Sequence, residues 1–187
     1  MSAARVAIYG GSFDPPHMGH VLAVAWALGT GEVDRAWIIP TWKHPLGKEH
    51  GADFEARVEM CERAFAGLRN AEVSTVEKEL GGVSRTLTTI ETLAAAHPNN
   101  SFRLLIGADI LSETGRWHRW DDVARAAPPL VVGRAGYPLP DGCPIAIPDV
   151  NSTDVRQGLA QGATMDGLVP YEVLAYVRMQ GLYRDPS

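Results

Sequence analysis

Cysteine is scarce in this 187-residue chain, where Cys61 and Cys143 stand far apart and form no CxxC pair. They supply neither a zinc knuckle nor a dithiol redox motif, and the reading that follows is two reduced thiols in a cytoplasmic protein. Cations are in the minority, 17 Lys and Arg against 22 Asp and Glu, for a formal charge of -5. A protein that wraps nucleic acid through phosphate neutralisation carries a basic surplus, so a general DNA or RNA partner is not expected. A small anionic ligand held by a few local cations remains compatible with that balance. Long apolar runs are also missing. The longest, Val21 to Leu28, is too short to cross a bilayer. No basic segment leads into an apolar stretch at the start of the chain, so neither a membrane anchor nor a signal peptide is expected. Internal repeats, low-complexity tracts and long linkers are absent, and the length suffices for one core, so a single domain over residues 1–187 is the expectation.

What is present alternates between two kinds of segment. Arg5 to Tyr9 is a short β-branched and aromatic run that stops at Gly10 and Gly11, the pattern of a buried strand entering a loop. His17 to Leu28 favours a helix, with Gly29 placed for a left-handed cap. Ala36 to Pro40 reads as the second strand, and Phe54 to Leu68 as an amphipathic helix with Phe54, Val58, Cys61, Ala64, Phe65 and Leu68 on one face. Then come a strand over Glu72 to Val76, a helix over Thr86 to Ala96 and a strand over Phe102 to Ile106 that ends at Gly107. Strands over Pro129 to Val132 and Pro144 to Ile147 follow, then a helix from about Ser152 and one opened by Pro170. Strands alternating with helices imply crossover connections, hence an α/β, doubly wound, mainly parallel sheet. The polar stretch Thr41 to Asp53, rich in Gly and Pro, reads as an active-site loop.

In open α/β sheets the first strand-to-helix turn is the usual phosphate site. Here it runs from Gly10 through Gly11, Ser12, Phe13, Asp14, Pro15, Pro16, His17, Met18 and Gly19 to His20. This is neither a GxGxxG fingerprint nor a GxxxxGK[ST] loop. The glycines allow close backbone approach, and the helix N-terminus offers unpaired N–H groups. His17 and His20, three apart, share a face of the opening helical turn. Two imidazoles there can donate to phosphate oxygens as charge builds, can share a cation, or can simply cap the helix.

The segment resembles the GG(T/S)FDPxHxGH motif of the nucleotidylyltransferase superfamily, most closely that of the bacterial nicotinate-nucleotide adenylyltransferases. Five further elements are similar to that family in order: Arg85-Thr86-Leu87; Gly107-Ala108-Asp109 with Trp117; Arg134 to Tyr137; Ser152-Thr153-Asp154-Val155-Arg156; and Val177 to Tyr183. The resemblance implies a Rossmann-like fold and transfer of the adenylyl group of ATP, with Mg²⁺, to nicotinate mononucleotide. It implies catalytic roles for His17, His20 and Arg156, and ATP contacts from Gly10, Gly11, Ser12, Phe13, Arg134, Ser152 and Thr153. On the acceptor side it implies stacking of the pyridine ring on Trp117, with Thr86, His118 and Asp109 around it. As bare residues, Ser152 and Thr153 read equally as helix caps, and Trp117 as a half-buried aromatic.

Two departures stand out. Where the family places P-P-H-K after the second strand, this chain has Thr41 to Lys48, so Lys43, His44 or Lys48 is expected to supply the cation toward ATP. Asn151 stands where a small hydroxyl residue is commoner. These changes leave open a related transferase with another phosphorylated acceptor, such as nicotinamide mononucleotide, and a nucleotide-binding sensor without turnover. With an acidic whole chain, attraction of anionic substrates is expected to fall to His17, His20, Lys43, His44, Lys48, Arg134 and Arg156 converging at one edge of the sheet. An oligomer is compatible with the sequence.

Overall fold

A computed structural model describes residues 3–43, 50–143 and 145–184. Strands β1 (Arg5–Gly11), β2 (Arg35–Pro40), β3 (Ala71–Val73), β4 (Ser101–Gly107), β5 (Pro129–Arg134) and β6 (Ala146–Ile147) form one sheet in the order 3-2-1-4-5-6. All five pairings are parallel. The helices are α1 (Met18–Gly29), α2 (Phe54–Phe65), α3 (Val76–Leu80), α4 (Thr86–Ala96), α5 (Trp120–Ala126), α6 (Ser152–Ala160) and α7 (Tyr171–Gln180). The doubly wound α/β reading therefore holds.

The period of two in the strands sorts the core into two layers. Ala7, Ala36, Ile38 and Leu105 face a layer built with α1, α2, α6 and α7, including Val24, Met60, Val155 and Leu174. Val6, Ile8, Ile39 and Leu104 face the other, closed by Leu87, Ile90 and Leu93 of α4 and Val123 of α5. Burial on both faces explains why the strands read as continuous apolar runs.

Several boundaries differ from the sequence reading. The first helix runs through Gly29, and its cap is Thr30, whose hydroxyl donates to the Ala27 carbonyl at 2.7 Å. The left-handed conformation falls on Gly31 instead, at φ 71°. Helix α2 stops at Phe65, where the Leu68 N–H closes a tight turn onto the Phe65 carbonyl. The strand expected over Glu72 to Val76 ends at Val73, because Val76 turns into the second core layer and opens the unanticipated α3. A 3₁₀ stretch, Ala108–Arg116, leads to Trp117, which lies in the connection before α5. Pro144, expected to open the last strand, lies outside the described residues.

Candidate active site

The strand order reverses between β1 and β4, and ligands of open α/β sheets bind in the crevice beyond the strand ends at such a point. The first turn is shaped from within by Phe13. Its backbone is left-handed at φ 47° and its ring is buried, meeting Tyr9, His20 and Phe65 edge to face. A Cβ on Gly11 would lie 3.1 Å from that ring, so packing against Phe13 favours glycine there.

His17 caps α1, and its backbone N–H donates to Nδ1 of His20 at 3.1 Å. The two rings stack with centroids 3.7 Å apart. A Cβ on Gly19 would sit 3.1 Å from the His17 ring, which gives the glycine between the histidines a steric reason. Burial, reinforced by the nearby Arg134 charge, pulls the His17 pKa down to about 4. Burial, then the neighbouring His17 and Arg134, also holds His20 well below the ordinary imidazole value. Both rings are therefore neutral near pH 7, each with one N–H to donate. The Nδ1 of His17 is buried without a hydrogen-bond partner among the described residues.

The histidines line a cleft of about 200 Å³ together with Ser12, Phe13, Arg134, Ser152, Thr153 and Arg156. Asn151 is the cap of α6, its side-chain oxygen accepting the Asp154 N–H at 2.9 Å. Asn is as good an N-cap as Ser, so the departure at this position is locally neutral. It also corrects the capping role considered for Ser152 and Thr153. The Ser152 hydroxyl instead donates to the Pro15 carbonyl at 2.9 Å, fastening α6 to the first turn. Thr153 Oγ1 accepts from Arg156, which also donates to the Asp14 carbonyl at 2.6 Å. Helix α6 thus points its unpaired N-terminal N–H groups at the same cleft as α1.

Asp14, 2% exposed, joins three segments. Its carboxylate accepts from the Gly51 N–H at 2.6 Å, the Ala52 N–H at 3.1 Å and the Tyr183 hydroxyl at 2.7 Å. Gly51 is wedged between Arg156 and Tyr183, where a Cβ would meet both at 3.0 Å. Arg134 is held from two sides, by Asp109 at 2.6 Å and by Asp149 at 3.0 Å. A side chain on Gly107 would run into the Asp109 carboxylate.

A second cavity, of about 620 Å³, adjoins the first. Ser12 lines both, which makes it the junction. Gly10 and Gly11 open onto this larger cavity rather than onto the histidine cleft. Thr86, Trp117 and His118 line it, and Trp117 packs edge to face on Trp120 at 5.5 Å. Its buried wall includes Glu77, whose carboxylate accepts from the Trp42 N–H at 3.1 Å and from the Thr89 hydroxyl at 3.2 Å.

His17, His20, Ser12, Phe13, Arg134, Ser152, Thr153 and Arg156 therefore converge on one cleft, and Thr86, Trp117 and His118 on the neighbouring cavity. Asp109 lines neither and is engaged with Arg134. Lys43 is exposed and lines neither; its backbone N–H donates to Ser84 Oγ at 3.2 Å. His44 and Lys48 lie outside the described residues. The expected concentration of positive charge is tempered: Arg134 and Arg156 lie against carboxylates, and the histidines are neutral. Sequence reasoning missed Arg57, Glu77 and Tyr183, and gave Asp14 no role. Asp14 and Tyr183 had a signal in their places within the first and last family-like elements; Arg57 and Glu77 are charged residues whose burial only tertiary structure reveals.

The chain is similar to known proteins along nearly its whole length. A family model described as Cytidylyltransferase-like matches residues 8–158. A protein of Anaeromyxobacter sp. (strain K), named "Probable nicotinate-nucleotide adenylyltransferase", is 48% identical over 188 residues, covering 98% of this chain and 100% of that one. One of the same name from Myxococcus xanthus (strain DK1622) is 40% identical over 97% of this chain and 95% of its own. Among solved structures, nicotinic acid mononucleotide adenylyltransferase of Plasmodium falciparum, complexed with NaAD, matches with a TM-score of 0.82 at 16% identity, over 96% of this chain and 97% of that one. Among the described residues no helix is long and apolar enough to cross a membrane.

Proposed function

Since the chain belongs to the cytidylyltransferase-like family, we propose that it is the nucleotidyltransferase that moves the adenylyl group of ATP onto nicotinate mononucleotide. A phosphate oxygen of the acceptor attacks the α-phosphorus of ATP, the bond to the β-phosphate oxygen breaks, and pyrophosphate leaves as the dinucleotide forms. The observation that carries this reading is the pair of cavities meeting at Ser12, one lined by stacked histidines and a helix N-terminus, the other by an indole. The name shared by relatives that align along nearly their whole length supports it.

In this reading ATP lies in the smaller cleft, with its β- and γ-phosphates at Ser152, Thr153 and Arg156. His17 and His20 donate to the α-phosphate, where charge builds. No covalent intermediate is needed, and the rate comes from positioning and from donors fixed before the reaction. The acceptor occupies the larger cavity, its electron-poor ring on Trp117. Magnesium is proposed as a cation carried in on the triphosphate, which it neutralises. The lining of the smaller cleft, with the hydroxyls of Ser152 and Thr153 and the guanidinium of Arg156, suits a triphosphate that arrives with its cation. The protein acts in making the dinucleotide precursor of NAD.

The test is pyrophosphate release by purified protein with ATP, Mg²⁺ and an acceptor panel. Turnover is expected with nicotinate mononucleotide and at most weakly with nicotinamide mononucleotide. Turnover only with another phosphorylated acceptor would overturn the assigned specificity, and tight ATP binding without any turnover would assign the sensor role.

A further inference from the structure

Among the described residues, Arg57 is the one charged side chain in the set of largest fully buried ones, at 1% exposure. It stands on α2, behind the two cavities rather than in them. Its guanidinium makes two hydrogen bonds, from Nη1 to the Ser12 carbonyl at 2.8 Å and from Nη2 to the Thr41 carbonyl at 2.9 Å. It lies 5.4 Å from the Phe54 ring, and Nε is buried without a partner among the described residues. Neither bond goes to a carboxylate. A charge this deeply buried is costly, so its retention calls for a reason beyond filling space.

The two carbonyls supply one. Ser12 opens the turn after β1 and lines both cavities, and Thr41 follows β2 and lines the larger. A planar fork is the side chain suited to holding two carbonyls at a fixed separation, which a lysine ammonium on its flexible stem does not reproduce. The peptide after each carbonyl is trans, so its N–H points the opposite way. At Thr41 this is visible: the following Trp42 N–H reaches Glu77 Oε2 and Ser84 Oγ, both at 3.1 Å and both in the wall of the larger cavity. At Ser12 the same geometry turns the Phe13 N–H away from Arg57.

We infer that Arg57 is a positioning residue for the transfer step: by gripping the Ser12 and Thr41 carbonyls it sets the nucleotide cleft and the acceptor cavity in register and fixes which way the backbone donor at their junction faces. The inference rests on the adenylyl-transfer reading, and it adds a residue that never touches substrate. Each substrate keeps its own cavity when Arg57 is changed, so binding is spared. The alignment of the attacking oxygen with the α-phosphorus suffers, and misalignment on the order of 1 Å costs roughly a hundredfold in rate.

The experiment compares wild type with Arg57→Lys and Arg57→Gln, each checked for thermal midpoint and for fraction folded. Lysine keeps the charge without the fork, and glutamine keeps a donor without the charge. For folded Arg57→Lys the expected result is a kcat lowered at least thirtyfold. The ATP Kd and the acceptor KM should stay within threefold of wild type, with a larger kcat loss for Arg57→Gln. An unchanged kcat in either folded variant overturns the inference. So does a kcat loss no greater than the loss of folded protein, or failure of both variants to fold, each of which assigns Arg57 to the core alone. Wild type that does not turn over nicotinate mononucleotide overturns the parent reading instead, and the two failures are read from different proteins.

Discussion

The imidazole rings of His17 and His20 lie with 24° between their planes and 3.7 Å between centroids. Stacking this close in a buried setting is compatible with neutral rings, because a second positive charge would be repelled by the first and by Arg134. The folded His17 pKa of about 4 lies below its ordinary 6.5, so the unfolded chain takes up this proton first. His17 thus costs nothing above pH 6.5. Its share of stability is lost progressively between pH 6.5 and 4, to a total on the order of 3 kcal/mol. The Hε1 proton resonance of His17 in the free protein should accordingly show no titration above pH 5, and a midpoint near 6.5 would contradict the neutral-pair assignment.

Gly19→Ala should separate folding from function. The new Cβ would stand 3.1 Å from the His17 ring, closer than ordinary contact, and relieving it disturbs a ring that stacks on His20. The expected outcome is a thermal midpoint within a few degrees of wild type and a kcat lowered by about tenfold to a hundredfold, in line with the cost of small misplacements in a fixed donor set. Wild-type kcat in a folded Gly19→Ala protein would show that the stack is not needed.

Tyr183→Phe removes the hydroxyl that donates to Asp14 Oδ1 at 2.7 Å. Asp14 then keeps the Gly51 and Ala52 N–H groups, and its charge sits in a less satisfied buried site. A hydrogen bond to a buried carboxylate is worth about 1.5–3 kcal/mol, and the loss of stability should fall in that range. Because Arg156 donates to the Asp14 carbonyl, the ATP KM should rise severalfold while the acceptor KM stays unchanged. Chemical denaturation and initial-rate kinetics check both parts.

How far the sequence reaches is set by the range of the interactions that decide each feature. The strands and α4 were legible because apolar period and Gly/Pro punctuation are local, and the histidine turn because its spacing is fixed within eleven residues. Helix α3 was not legible: its start depends on Val76 entering the second core layer and on Glu77 meeting Trp42 across 35 residues. The contacts of Arg57 and Tyr183 were hidden for the same reason, since each is made with segments distant in the chain. The stop of the first helix was misplaced from Gly29 because the Thr30 hydroxyl competes as a cap, a choice composition does not reveal.

Trp117→Ala tests whether the two cavities bind separately. Trp117 lines only the larger one, and its indole is the stacking surface assigned to the pyridine ring. Loss of base–aromatic stacking costs about 1–3 kcal/mol, so the acceptor KM should rise roughly fivefold to a hundredfold. The ATP Kd, measured by calorimetry without acceptor, should stay within twofold. Equal loss of both affinities would place the indole in the nucleotide site or in the fold itself.

Asp149→Asn should improve ATP binding, an outcome that distinguishes a tempered cleft from a strongly positive one. Arg134 lines the nucleotide cleft but shares its charge with Asp109 at 2.6 Å and Asp149 at 3.0 Å. Asp109 is largely enclosed, whereas the Asp149 side chain is 61% exposed and lines neither cavity, so its charge can be removed without opening the core. An exposed pair of this kind contributes about 0.2–1 kcal/mol. Asparagine still accepts from the Arg134 guanidinium while cancelling one negative charge beside the incoming triphosphate. The ATP KM should therefore fall by about twofold to fourfold at low ionic strength. The gain should shrink as salt approaches 1 M, where the screening length drops to about 3 Å. A KM that rises at low salt would mean that Asp149 acts by holding Arg134 in place, and that its geometry outweighs its charge.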